Sequence, residues 1–431
     1  MRDEAALAHF RWLPPGLRPP VAMQWRQERV FLLVGVAALF AGYDMNVFGL
    51  AVPQIQASLN IPENQVGLTV SYFRLATIVA LAISASADLV GRRRLLLFTI
   101  FGQAVFTLAT AFSGDYAQFV WAQILTRVFG YAEEMLCFVV IAEEVAAGAR
   151  GWANGTLSAL DYTGAGLASL AFLGVNVLPY GWRALYVIGA VPLFLVAYLR
   201  RNLPETKRFA ARENVEKAKS KLKETLDLLR DLVRQYPLRL LTILIAASAF
   251  GFGTASASVL SSKYLQSVFH YSPLDVNLLF IPGGLVGLAL AITAGRISDH
   301  IGRKIMTFTI VSCAGIGFAL FYSGLSGWWL PPLWILSFFG FFSGDALIAG
   351  FALEIVPTEY RATVSGVRYL VYIGSGAVSL ALEGHLYDHF HAHGPAIQLL
   401  LGTLPITLVA LLFLPEPAGK SLEEMAGERP V

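Results

Sequence analysis

Long apolar runs alternate with short polar breaks along nearly the whole chain. A helix needs ~20 mostly apolar residues to cross a hydrocarbon core. Runs of that length are read near residues 30–53, 64–87, 93–112, 117–142, 152–178 and 183–200. Six more follow near 238–264, 275–298, 305–323, 331–354, 362–386 and 396–414. Between the two sets lies 201–237, the only long polar stretch, dense in Lys and Arg and patterned as an amphipathic helix around Val215–Val233. Such a helix is expected to lie along the membrane surface as a linker. The predicted layout is an N-terminal segment 1–29, a six-helix bundle 30–200, the linker 201–237, a second six-helix bundle 238–414 and a tail 415–431.

The two sixes are copies of one another. Asp88-Leu89-Val90-Gly91-Arg92-Arg93 recurs as Asp299-His300-Ile301-Gly302-Arg303-Lys304, an offset of 211 residues. Glu143 with Arg150-Gly151 recurs at the same offset as Glu354 with Arg361-Ala362, and Pro204-Glu205-Thr206 as Pro415-Glu416-Pro417. Three signals in one ungapped register mark a duplicated half. A duplicated, very apolar chain predicts an all-α polytopic membrane protein, a secondary transporter built from two repeats.

Composition agrees with this reading. Hydrophobic residues make up 56% of the chain and charged ones 14%, against roughly 25% charged in soluble proteins. Cys137 and Cys313 sit in apolar runs and read as small buried hydrophobes. No metal cluster and no nucleophile–base pair is apparent, so neither an enzyme nor a cofactor is expected. The first 28 residues hold no apolar h-region, and the first span is expected to serve as the targeting signal. Arg92-Arg93-Arg94, Arg150, the linker, Arg303-Lys304 and Arg361 all fall on one side of the spans. The loops Asn60–Glu63, Ser113–Asp115 and Ser323–Trp328 on the other side hold no Lys or Arg. Arg183 and Lys263 are the exceptions there. By the positive-inside bias both termini are expected in the cytoplasm, with the protein in the cell's plasma or inner membrane.

Each half carries an Asp at the end of its second span, then a Gly that allows a tight reversal, then a cationic pair able to meet carboxylates of other helices. Such a patch can latch one face shut and release it. Gly295-Arg296-Ile297-Ser298-Asp299-His300-Ile301-Gly302-Arg303-Lys304 resembles the loop signature of the major facilitator superfamily almost throughout, and the first copy resembles it with Ser84 and Leu89 as departures. The resemblance covers about residues 30–425. It implies the major facilitator fold, twelve transmembrane helices in two pseudo-twofold-related six-helix bundles. It also implies gating roles for Asp88, Gly91, Arg92, Arg93, Glu143, Arg150, Gly295, Asp299, Gly302, Arg303, Lys304, Glu354 and Arg361. Glu354-Ile355-Val356-Pro357 with Arg361 is similar to the cytoplasmic signature of the sugar porter, niacin carrier and organic-ion group. Pro204-Glu205-Thr206 and Pro415-Glu416 resemble sugar-porter tails, whereas Ala41-Gly42-Tyr43-Asp44 resembles the first helix of aromatic-acid and niacin carriers.

Ionisable side chains inside spans are costly, so each is a functional candidate. Asp44 and Arg74 lie on antiparallel spans and are expected to meet as a pair. Of the adjacent Glu133 and Glu134, which point about 100° apart, only one easily faces a cavity, and Glu134 is taken. Its repeat twin is Asp345. Asp44, Glu134, Asp161 and Asp345 are the expected proton carriers. Tyr43, Arg74, Arg127, Tyr162, Arg368, Tyr369 and Tyr372 are expected near the substrate. Glu383 and His385, near the outer end of their span, read as solvated, and Trp328, Trp329 and Trp334 as an interfacial belt. The predicted activity is proton-coupled symport of a small organic solute, a carboxylate first, by a functional monomer in the lipid bilayer, with no nucleic-acid partner. A sugar or polyol porter and an organic cation or drug carrier are the alternatives, with a non-transporting sensor on the same fold behind them.

Overall fold

The computed structural model describes residues 23–145, 149–201, 230–357 and 360–416, with residues 7, 8, 18, 19 and 21. Most of the linker, including residues 215–229 of the amphipathic stretch, lies outside the described residues, as does the tail beyond Glu416. The described chain is helical almost throughout. The first half forms α1 (Trp25–Leu59), α2 (Glu63–Ala85), the one-turn α3 (Ala87–Val90), α4 (Arg92–Ala111), α5 (Tyr116–Glu144), α6 (Arg150–Phe172) and α7 (Trp182–Arg200). In the second half come α8 (Pro237–Val259), α9 (Ser261–Val268), α10 (Pro273–Ile301), α11 (Arg303–Phe321), α12 (Leu330–Glu354), α13 (Arg361–Phe390), α14 (His393–Leu401) and α15 (Leu404–Leu412).

Among the described residues nine helices are long and apolar enough to cross a membrane, the last of them made of α14 and α15 in line. Three further helices, α5, α6 and α10, have 23 or more residues each. At ~1.5 Å per residue those are long enough to span, and they bring the count to twelve. Of these, α5 carries Arg127, Glu133 and Glu134 and α6 is rich in Gly, Ser and Thr, whereas α10 is apolar over Pro273–Gly287.

Two compact units divide the chain: Met1–Asn60 with Ala76–Ala218, and Ile61–Leu75 with Lys219–Val431. The first part of α2 thus groups with the second unit and its last part with the first. Inside the first unit α1 lies along α6, and α4 packs against α5 and α7. A side chain on Gly42 would run into the backbone of Asp161, and one on Gly164 into Leu39. This close small-residue crossing lets the two backbones touch. Val34, Leu95, Leu136, Ile141 and Leu157 fill the space between these helices. Inside the second unit the same partners recur, α8 along α13 and α11 along α12. The first turns of α2 join them, with Gly67 and Gly384 making close contact between α2 and α13.

Local departures from the predicted spans have visible causes. The α1 backbone leaves helical geometry at Ala51 (φ −99°, ψ 16°), two residues before Pro53, whose ring and missing N–H weaken the preceding turn. The fifth span stops at Phe172 and passes into turns. The seventh breaks at Leu260, and the twelfth breaks at Gly402–Thr403, just ahead of Pro405 near the start of α15. Trp334 departs from its belt assignment. It is buried and stacks on Phe280 and Phe338 at 4.6 and 4.4 Å, whereas Trp328 and Trp329 are exposed.

Candidate functional site

The repeated turns are nearly superimposable in backbone. Gly91 has φ 101° and ψ 142°, and Gly302 has φ 106° and ψ 141°. That region is open to glycine and closed to most side chains, which is why a Gly must stand between the cation pair and the preceding helix. Each turn aims its first arginine at the matching glutamate of the same half. Arg92 Nη2 lies 3.0 Å from Glu143 Oε1, and Arg303 Nε lies 3.2 Å from Glu354 Oε1. Each arginine also reaches back to the preceding helix, Arg92 donating to Ala87 O and Arg303 to Ser298 Oγ, again matched positions. Arg93 donates to Arg201 O, and Lys304 to Leu414 O. In the second half Glu416 closes the arrangement, accepting from the backbone N–H groups of Arg303 and Lys304 at 2.8 and 3.0 Å. A carboxylate there meets the unsatisfied donors of a helix start. Its twin Glu205 is outside the described residues, and nothing is described of the side chains of Asp88, Arg150 and Asp299 or the surroundings of Gly295. Arg361 stands at the start of α13.

Deeper in the first unit α5 sends its adjacent glutamates to different places. Glu133 is buried, paired with Arg200, and accepts from Thr99 Oγ1 at 2.6 Å. Arg200 also donates to Leu33 O. Glu134 instead lines a cavity of about 120 Å³ with Asp161, Ser158, Tyr162, Cys137 and Phe138. A water needs ~10–15 Å³ measured this way, so several fit. Two carboxylates and, among the described residues, no cation line this space.

Asp44 lies closer to the interior of the unit, 1% exposed. Its Oδ2 accepts from Gln103 Nε2 at 3.5 Å, and its Oδ1 is buried with no hydrogen-bond partner among the described residues. Arg74, its expected partner, belongs to the other unit. Tyr43, expected near the substrate, is buried, and its hydroxyl donates to Leu185 O at 2.9 Å. Arg127 donates to Met45 O at 3.0 Å and is 5% exposed, tying α5 to α1.

In the second unit Arg368 Nη1 donates to Asp345 Oδ1 at 2.7 Å. The acid expected as a proton carrier and the arginine expected near the substrate thus form an ion pair. Tyr372 is buried, stacked on Phe250 with the Arg368 guanidinium 5.9 Å from its ring, while Tyr369 is half-buried. Arg74 differs from these. Its Nη1 is buried with no acceptor among the described residues and lies over Gly376 of α13, where any side chain would collide with it.

Two groups escape a reading by sequence. Arg200 closes the sixth span beside the linker cations and draws no notice there, although it is the buried partner of Glu133. Glu383 reads as solvated but is fully buried, bonded to His393, which also meets Glu63, itself paired with Lys263. The isolated Lys263 on a side of the spans otherwise poor in cations is the available signal. His385 is exposed, as its position near the helix end suggests.

Comparison with known proteins places this geometry. The family model described as Major Facilitator Superfamily matches residues 34–381. A putative metabolite transport protein of Haemophilus influenzae is 26% identical over 91% of this chain and 97% of its own length. A 3-(3-hydroxy-phenyl)propionate transporter of Escherichia coli is 32% identical over 42% of this chain and 46% of its own. Among solved structures, a D-xylose-proton symporter aligns with a TM-score of 0.74 at 16% identity, covering 91% of this chain and 99% of its own. That last likeness is one of fold.

Proposed function

The chain belongs to the major facilitator superfamily, and from that premise we propose that it is a proton-coupled symporter for a small organic acid, aromatic or heteroaromatic by preference. It works as a monomer in the cytoplasmic membrane by alternating access, with both termini and the arginine-bearing turns on the cytoplasmic side. The observation that carries the substrate class is Arg74. A guanidinium stays charged in a protein, and a buried donor without an acceptor is expensive. A substrate carboxylate reaching Arg74 Nη1 would satisfy it with a charge-assisted bond of roughly 1.5–3 kcal/mol net. Tyr369 and Tyr372 lie one to two turns from Gly376 on the same helix, α13, and supply rings for an aromatic solute. The likeness to a carrier of a hydroxyphenyl propionate supports the same class.

Coupling falls to the first unit. Glu134 and Asp161 share a cavity large enough to hold water, and Asp44 is a buried acid with one oxygen unmet. Acids so placed load and release protons as access changes. The matched pairs Arg92–Glu143 and Arg303–Glu354 are the latches, with Asp88, Asp299, Arg150 and Arg361 assigned to the same cytoplasmic gate. A second reading, an organic cation exchanged for protons, draws on the same acidic cavity. Uptake by the purified protein in proteoliposomes separates them, using labelled 3-(3-hydroxyphenyl)propionate, its amide, xylose and a quaternary ammonium. The acid is expected to enter with protons while the amide is refused. Transport of the ammonium or of xylose in preference to the acid would replace this reading.

A further inference from the structure

At the helix ends opposite the arginine turns, four ionisable side chains from four elements of the second unit meet. Glu63 begins α2, Lys263 lies in α9, Glu383 in α13, and His393 begins α14. Lys263 pairs with Glu63 and is 1% exposed. The His393 ring sits between the two carboxylates, with Nδ1 2.6 Å from Glu383 Oε1 and Nε2 3.1 Å from Glu63 Oε2. Glu383 is 0% exposed and its other oxygen has no partner, whereas the Glu63 side chain is 41% exposed and opens the cluster to solvent. The Tyr387 ring covers the imidazole at 4.5 Å. Tyr264 and the Tyr322 backbone line the neighbouring Gly394 position.

We propose that these four residues form a proton-binding site, with the proton held on His393 between Glu63 and Glu383, and that this proton fastens the first turn of α2 to α13 and α14. Proton counting carries the argument. A neutral imidazole donates from one nitrogen and accepts at the other. Both neighbours here are carboxylate oxygens, so a neutral ring would set a lone pair against a carboxylate. One more proton, making the ring doubly donating, satisfies both contacts. The charges then also balance, with ammonium and imidazolium against two carboxylates. Removal of that proton leaves a buried negative charge uncompensated, which is costly, and a broken contact at Glu63 or Glu383. Gly67 and Gly384 bring α2 and α13 into close approach at this place, with Glu383 Oε2 lying against Gly67, so the site joins two helices that are already tightly packed. The fastening is therefore present when the proton is bound and is lost as pH rises and the proton leaves. It stands apart from the acids of the first unit and does not depend on the identity of the solute.

The test is nitrogen NMR of the full chain in lipid nanodiscs with labelled histidine, read beside hydrogen exchange of residues 60–66. Near roughly neutral pH, His393 of the wild type should show two protonated nitrogens. As alkaline titration removes one of them, protection of residues 60–66, corrected for intrinsic rate, should fall about tenfold or more. Glu383→Gln supplies the sharper result. Its amide can donate to a neutral Nδ1, so His393 should carry a single proton and the protection should no longer depend on pH. His393→Gln assigns the signal. If it does not fold, the change caused by Glu383→Gln assigns it instead. A wild-type His393 that is neutral near neutral pH, or protection that ignores loss of its proton, would overturn the proposal.

Discussion

The two halves agree at their turns and disagree inside their helices. Gly91 and Gly302 differ by 5° in φ, and Arg92–Glu143 and Arg303–Glu354 are the same contact at the same offset. Little of that correspondence survives among the charges buried in the spans. In the repeat register Asp44, Arg127 and Asp161 correspond to Ala255, Phe338 and Tyr372, and the Glu133–Arg200 pair to Gly344 and Leu411. Conversely Lys263, Glu383 and His393 correspond to Val52, Phe172 and Trp182. One acidic position is shared, Glu134 with Asp345, and even there the surroundings differ. Glu134 lines an acidic cavity, whereas Asp345 is held by Arg368. Work done twice, once per half, is built from the repeat. In the proposed function, coupling and recognition, done once, draw on surroundings that the halves do not share.

The largest effect on this contrast should come from the buried pair that only the first half has. Arg200→Met leaves the Glu133 carboxylate buried without its cation, and losing one partner of such a pair costs about 3–5 kcal/mol. Thermal unfolding in detergent should show a large fall in midpoint, partly restored by adding Glu133→Gln. A midpoint close to wild type would mean that the pair is not a structural element of the first unit.

Separating the shared acids comes next. Asp345→Asn should destabilise the second unit by roughly 1.5–3 kcal/mol, the range for a hydrogen bond to a charged group. Glu134→Gln should leave unfolding nearly unchanged and abolish uphill transport. Equal behaviour of the two variants would erase the asymmetry drawn between the halves.

Arg74→Gln is expected to weaken binding of an organic acid about tenfold or more, since ~1.4 kcal/mol is a factor of ten. Calorimetric titration of the purified carrier reads this directly, and unchanged affinity would release Arg74 from the substrate.

At the turns the effect should be smaller and fall on rate. Arg92→Gln and Arg303→Gln remove contacts that hold in one access state, so exchange should slow while affinity stays within a few-fold. The first should slow exchange more, because Arg92–Glu143 is nearly buried and Arg303–Glu354 is a quarter or more exposed, where ion pairs contribute only about 0–1 kcal/mol. A collapse of affinity with normal exchange would contradict the gate.

The sequence already carried the membrane class, the duplicated half and the two turns, because apolar length and a fixed offset are properties of the chain alone. What it could not carry were partners that only packing decides. Asp44 and Arg74 look complementary by depth along their helices, yet rotation about α1 turns Asp44 toward Gln103. Tyr43 looks like a cavity residue, but α7 places the Leu185 carbonyl within reach of its hydroxyl. Glu383 looks solvated by distance along α13, and the fold buries it by bringing α14 and the first turn of α2 against it. Depth along a helix is legible from counting residues, whereas the neighbour at that depth is not.

Protons entering through the acids of the first half drive the proposed uptake. Its most direct test is accumulation of a labelled small aromatic carboxylate by proteoliposomes under an inward proton gradient, with internal pH followed in the same vesicles. Wild type should concentrate the acid and acidify the interior, and Glu134→Gln should exchange the acid across the membrane without concentrating it. Accumulation by Glu134→Gln as strong as wild type, or wild-type uptake with no proton movement, would contradict the account.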